Sequence, residues 1–186
     1  MKNIFFFVFL SAPILSFGQF KFDSTSNKYQ NSIIVSTPKQ TKEALFKNAQ
    51  LWATRYFKNY KDAVQVEDSL KGNLVYQYST NVSLDSKTKA VFNIRIDCKN
   101  EKYRASVTDI VLSTYSSTGW KDSDYEFIER YTNQLKEKAN NETDTAKRES
   151  QIEYVESNNL TLGLTRGATI ETIESIKKSM SVNNDF

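Results

Sequence analysis

The 186-residue chain contains no histidine, one cysteine (Cys98), two prolines and five glycines. Without histidine there can be no Ser-His or Cys-His nucleophile pair and no imidazole ligand for zinc. A single cysteine excludes an intramolecular disulfide, so an exported form of the chain has no covalent staple. Charge of one sign is also scarce: 25 Lys+Arg against 22 Asp+Glu leave +3. That excess is too mild to imply a nucleic-acid or membrane-surface partner. The one glycine pair near a helical stretch, Gly163-Leu164-Thr165-Arg166-Gly167, lacks the spacing and the lysine of a phosphate loop. These absences predict no enzyme and no cofactor.

One long hydrophobic run is present, at the start. Lys2 supplies a short positive region, Ile4–Leu15 is almost unbroken apolar sequence, and Ser16-Phe17-Gly18 puts small residues before Gln19. This reads as a secretory signal peptide over residues 1–18, too short and too interrupted by Pro13 to span a bilayer. Cleavage predicts a periplasmic or secreted protein with no transmembrane span. Removing Lys2 leaves 24 basic against 22 acidic residues, a formal +2.

Residues 19–31 are polar and show no period, so they are expected to form a loose leader. Ser32–Val35 is β-branched and reads as a strand. Thr37-Pro38 with Gln40 reads as a helix start, Thr37 as N-cap and Pro38 at the first helical position. The helix is expected to reach about Tyr60, with Leu45, Ala49, Trp52 and Tyr56 as its buried stripe.

Period-two alternation then runs through three segments. Leu74, Tyr76 and Tyr78 alternate with Val75, Gln77 and Ser79; Phe92, Ile94, Ile96 and Cys98 alternate with Asn93, Arg95 and Asp97. Tyr103, Ala105 and Val107 alternate with Arg104, Ser106 and Thr108. Together with a short strand at Val64–Glu67, this predicts an antiparallel meander with one buried face and one wet face. Ser113–Asp124 reads as a loop, and helix returns over about Asp122–Ala139. Beyond it, residues 140–186 are expected to be a helical, partly disordered extension. The apolar pair Ile152/Val155 falls off the stripe of the preceding helix, so either the helix breaks near 140–145 or its distal part serves a different surface. A last helix over about Thr169–Ser179 carries Ile170, Ile173 and Ile176.

The predicted class is α+β: a five-stranded antiparallel sheet with two helices on one face, in the order strand, helix, four strands, helix. More specifically, residues 28–112 resemble a family of exported bacterial proteins, frequent in Bacteroidetes, described as a domain of unknown function with a TBP-like fold. Ser36-Thr37-Pro38 leading into Lys42-Glu43-Ala44-Leu45-Phe46 carries the resemblance, with Ala49, Trp52, Glu67-Asp68, Gly72 and Leu74-Val75. It implies the fold of residues 32–139 and brings no catalytic residues.

Two functions are compatible with this reading. In the first, the chain is a non-enzymatic envelope protein that binds another protein or surface component. Its surface would be the wet-face residues Gln77, Ser79, Asn93, Arg95, Arg104 and Ser106. Alternatively, Ile170, Ile173 and Ile176 would bind an unknown envelope protein or a second copy of the chain. In the second, an apolar ligand lies between sheet and helices, lined by Trp52, Tyr56, Tyr76, Tyr78 and Phe92. Nucleic acid is not expected, because Asp97 offsets the wet-face arginines and no apolar wedge lies among them. Cys98 shares the apolar face of its strand and is expected to be inert.

Overall fold

A computed structural model describes residues 19–181. The expected signal peptide lies outside the described residues. Seven strands form one antiparallel sheet: β1 (Gln19–Asp23), β2 (Lys28–Ser36), β3 (Val64–Asp68), β4 (Asn73–Asn81), β5 (Thr88–Lys99), β6 (Lys102–Ser116) and β7 (Gly119–Asp124). The order across the sheet is β1-β2-β6-β5-β4-β3, and β7 pairs with the far half of β6. The helices are α1 (Lys42–Tyr56), α2 (Tyr60–Ala63), α3 (Tyr125–Asn141) and α4 (Thr145–Ser181). The α+β architecture is as the sequence predicts, with two more strands than expected.

The extra strands come from segments that read as loops. Residues 19–31 are not a leader: β1 and the start of β2 form a hairpin in which Phe20 faces Asn31 and Phe22 faces Tyr29. Phe20 stacks on Tyr29 at 5.2 Å, and both rings meet Tyr125 edge-on at 5.3 Å. The Arg166 guanidinium of α4 lies over Phe20, 5.1 Å from its ring centroid. Four elements therefore hold this hairpin through one aromatic cluster. Likewise Ser113–Asp124 is no loop, because β6 continues to Ser116 and turns into β7.

The long helix starts later than expected. Gln40 N–H donates to the Thr37 carbonyl at 3.1 Å, and Lys39 has φ +69°. Thr37-Pro38-Lys39-Gln40 is thus a turn with Pro at its second position and a left-handed third residue, the φ pattern of a type II turn. Thr41 is the real N-cap, its hydroxyl accepting from Ala44 N–H at 3.2 Å. The helix also ends at Tyr56, short of Tyr60.

In β6 the inward residues shift parity, from Tyr103, Ala105 and Val107 to Ile110 and Leu112. Asp109, at φ +53°, is the extra residue: Asn93 pairs with Thr108 but Val91 with Val111. This bulge keeps both halves of a fifteen-residue strand facing the core. Asp109 lies in the gap between β2 and β7, where Lys28 Nζ binds its carboxylate at 2.9 Å.

The chain breaks between α3 and α4, the first of the two expected alternatives, with Asp144 capping α4 by accepting Lys147 N–H at 3.0 Å. The rest of the C-terminal region differs from expectation. It is one helix of 37 residues that folds back along α3 and then docks on the parent domain. Ile173, Ile176 and Met180 are at most 1 % exposed and belong to the main core with Leu45, Trp52 and Ile33. The sandwich therefore has three helices on its inner face, α1, α3 and α4.

Candidate functional site

All of the long helices pack on one side of the sheet, so among the described residues nothing covers the other side. Antiparallel pairing fixes which side chains stand on it: β4 places Gln77 opposite Asn93 of β5, and β5 places Arg95 opposite Ser106 of β6 and Asp97 opposite Arg104. Gln77, Ser79, Arg95 and Arg104 are exposed and Asn93 is half-buried. Ser106, between β2 and β5, is 6 % exposed and forms part of the floor. The six wet-face residues read from the sequence thus share one uncovered surface.

Two polar networks order this surface. Asp97 accepts from Arg95 Nε at 2.9 Å and from Arg104 Nε and Nη2 at 3.1 and 2.6 Å. Asp109 accepts from Lys28 Nζ, from Asn93 Nδ2 at 3.2 Å and from the Thr108 hydroxyl at 3.1 Å. The Lys28 ammonium is the main cause holding the Asp109 carboxyl below its usual range. At the far end, Tyr115 and Trp120 form an exposed cross-strand pair with centroids 5.4 Å apart, and Lys89 Nζ sits 4.6 Å over the indole. Sequence reasoning missed this pair because β7 read as loop. It also missed Ile34, 60 % exposed on β2 beside Arg104.

The other candidate residues stand elsewhere. Ile170 is exposed on α4, but Ile173 and Ile176 are buried in the chain's own core and cannot present a docking stripe. The residues expected to line a ligand divide between core and groove. Trp52, Tyr76 and Phe92 are almost fully buried, and Tyr56 and Tyr78 are half-buried. Their rings fill the space themselves: Trp52 stacks on Tyr56 at 4.8 Å, Tyr56 meets Tyr78 at 5.2 Å, and Tyr78 meets Phe92 at 5.5 Å. Helix α4 closes over them, Ser175 Oγ accepting from Trp52 Nε1 at 3.0 Å and Thr172 Oγ1 lying 2.9 Å from Tyr56 Oη. Two grooves border this cluster: one of about 350 Å³ between α1 and α4, touching Trp52 and Tyr56, and one of about 660 Å³ between the α1–α2 segment and the far end of β4, touching Tyr56 and Tyr78. Burial pushes the Cys98 thiol up to about 12, as expected of a thiol that packs rather than reacts.

No curated protein matches the chain. Among solved structures it is similar to a TBP-like protein from Parabacteroides distasonis, with 16 % identity and a TM-score of 0.61 over 82 % of this chain and 92 % of that one. It is also similar to a DUF4468 family protein from Bacteroides ovatus, with 12 % identity and a TM-score of 0.53 over 86 % of this chain and 90 % of that one. At such identities the likeness concerns the fold alone. Residues 29–113, from β2 through most of β6, match the family described as a domain of unknown function (DUF4468) with TBP-like fold, and over that span the chain is similar to that family.

Proposed function

We propose that the chain is an exported, non-enzymatic cell-envelope protein that acts as a protein- or surface-interaction module, and that it binds through the uncovered face of its sheet. One observation carries this reading: among the described residues three helices pack on one face of the sheet and none on the other, which is six strands wide and keeps an ordered polar surface. The fold by itself assigns no function. What supports binding is that the side chains here are held in fixed geometry by Asp97 and Asp109 rather than left free in solvent. The same two carboxylates oppose a phosphate backbone, which argues for a partner other than nucleic acid.

The test is photo-crosslinking in cells that export the chain. A crosslinking residue at Gln77 or Asn93 is expected to capture a defined partner, while one at Glu149, exposed at the far end of the α3–α4 hairpin, does not. Capture from Glu149 alone, or none from either face position, refutes the assignment.

A further inference from the structure

At one corner of the uncovered face the ends of β2, β5 and β6 meet around Asp97. Its side chain is 13 % exposed and binds two guanidinium groups. A guanidinium carries five N–H donors. Arg95 gives Asp97 one through Nε, and Arg104 gives two through Nε and Nη2. The rest stay available on side chains that are 46 % and 53 % exposed yet fixed in orientation by the shared carboxylate. Lys99 and Lys102, both exposed, stand directly opposite each other where β5 turns into β6. Like charges at directly opposite positions destabilise a strand pair. The nearby Glu101 carboxylate accepts the Lys39 backbone N–H at 3.2 Å, and among the described residues it forms no ion pair with either lysine. A groove of about 230 Å³ crosses this corner, lined by Ile34, Asp97, Lys99, Lys102, Tyr103 and Arg104. Ile34 gives it an exposed aliphatic wall.

Four cations therefore surround one nearly buried carboxylate, and an incoming anion relieves their mutual repulsion. We propose that this corner binds an acidic peptide segment of a partner protein, a carboxylate side chain resting on the Arg95–Arg104 pair and an aliphatic neighbour lying against Ile34. This rests on the reading of the open face as an interaction surface and names the partner's chemistry. The guanidinium fork matches a planar carboxylate in two-point geometry. A membrane surface fits less well, since Asp109 stands on the same face and the chain as a whole carries only +3.

The probe is an acetylated, amidated Leu-Glu-Ile-Asp-Leu peptide, compared with its Gln/Asn counterpart on the exported chain by amide chemical shifts. The acidic peptide is expected to shift Ile34, Asp97 and Arg104, to bind about tenfold or more tightly than the neutral one, and to weaken between about 50 and about 500 mM salt. Arg95→Gln/Arg104→Gln is expected to remove that advantage. Because this variant strands Asp97, Arg95→Gln/Asp97→Asn/Arg104→Gln gives the same reading without an unpaired carboxylate. Lys99→Gln/Lys102→Gln, which leaves the Asp97 network whole, is expected to weaken binding by a smaller factor. Equal binding of the two peptides overturns the proposal. So does binding of inorganic phosphate or of vesicles containing anionic phospholipid through these arginines when the peptide does not bind. If the Asn93 crosslink persists in the arginine variants and no acidic peptide binds, the face remains an interaction surface and only the acidic assignment falls.

Discussion

Ile176→Ala and Ile170→Ala separate a helix that completes the core from one that waits for a partner. The two residues lie on the same helix, six positions apart, one 0 % and the other 41 % exposed. Truncating isoleucine to alanine removes three carbon atoms, worth about 0.8 kcal/mol each when buried, or about 2.4 kcal/mol of transfer free energy. The space left between α1, α4 and the sheet adds a cavity penalty, so Ile176→Ala is expected to cost about 3–4 kcal/mol. Ile170→Ala removes carbons already largely in water and is expected to change stability by about 0.5 kcal/mol or less. In urea, with a slope near about 2 kcal/mol/M for a chain of this size, the Ile176 variant should unfold about 1.5–2 M earlier at an unchanged slope. The Ile170 variant should overlay the parent. A midpoint for Ile176→Ala equal to the parent's, or equal losses from both substitutions, refutes the docking of α4 on its own domain.

Gly72→Ala should be costly for its size, about 2 kcal/mol or more: Gly72 has φ +73°, and a Cβ there would stand 2.4 Å from the Cys98 carbonyl oxygen. Thermal melts check it, and a variant as stable as the parent would mean the turn can relax. Cys98, 1 % exposed with its thiol pushed up to about 12, should resist a thiol reagent up to about pH 9 and react fully once urea unfolds the chain. Rapid labelling of the folded protein would refute its burial. Asp109→Asn keeps a residue that tolerates the left-handed bulge but loses the charge facing Lys28. The folded carboxyl lies below its ordinary value, so its contribution is complete above about pH 4 and disappears as pH falls through the depressed value. The side chain is half exposed, which makes the effect small, and the parent should lose its advantage over Asp109→Asn on acidification. A constant difference from pH 7 to about pH 2 would show that the charge plays no part.

What could be read from the sequence was what repeats with a regular period. The β4–β5–β6 meander alternates cleanly, and its wet-face residues were identified as a set because alternation alone decides the face. The edges of the fold were harder. Phe20 and Phe22 do alternate, but the strand is five residues long, and the buried position that follows in β2 is Asn31, whose amide donates to Thr169 at 3.5 Å. A polar residue in a core seat breaks the apolar period. The same substitution hid α4. Its inward seats run Val155, Asn158, Leu162, Thr165, Thr169, Thr172, Ile173, Ile176 and Met180, and Asn158 and the three threonines make four of them polar. Each of those threonine hydroxyls is satisfied by a carbonyl of its own helix, so they pack as small residues. Thr37-Pro38 failed for a different reason. The same residues open a helix or a turn, and the choice is made by the positive φ of Lys39 and by Glu101, which accepts Thr37 N–H from more than sixty residues away. The Arg95–Asp97–Arg104 grouping was visible as two charges offset by a third. That both cations converge on one carboxylate required the register.

The position of α4 also sets an order of events during synthesis. Its bonds to the rest of the core span long stretches of chain: 123 residues from Trp52 to Ser175 and 138 from Asn31 to Thr169. Closing loops of that length adds little to the equilibrium cost, since each doubling adds only about 0.6 kcal/mol. It does make contact order high and closure late. A nascent chain that has made the whole meander but not yet Ile173, Ile176 and Met180 still shows water the inner face of β2 and the indole of Trp52. The interior is sealed by residues made only after the whole meander, and any polypeptide arrested before them is a candidate for chaperones rather than for a native state.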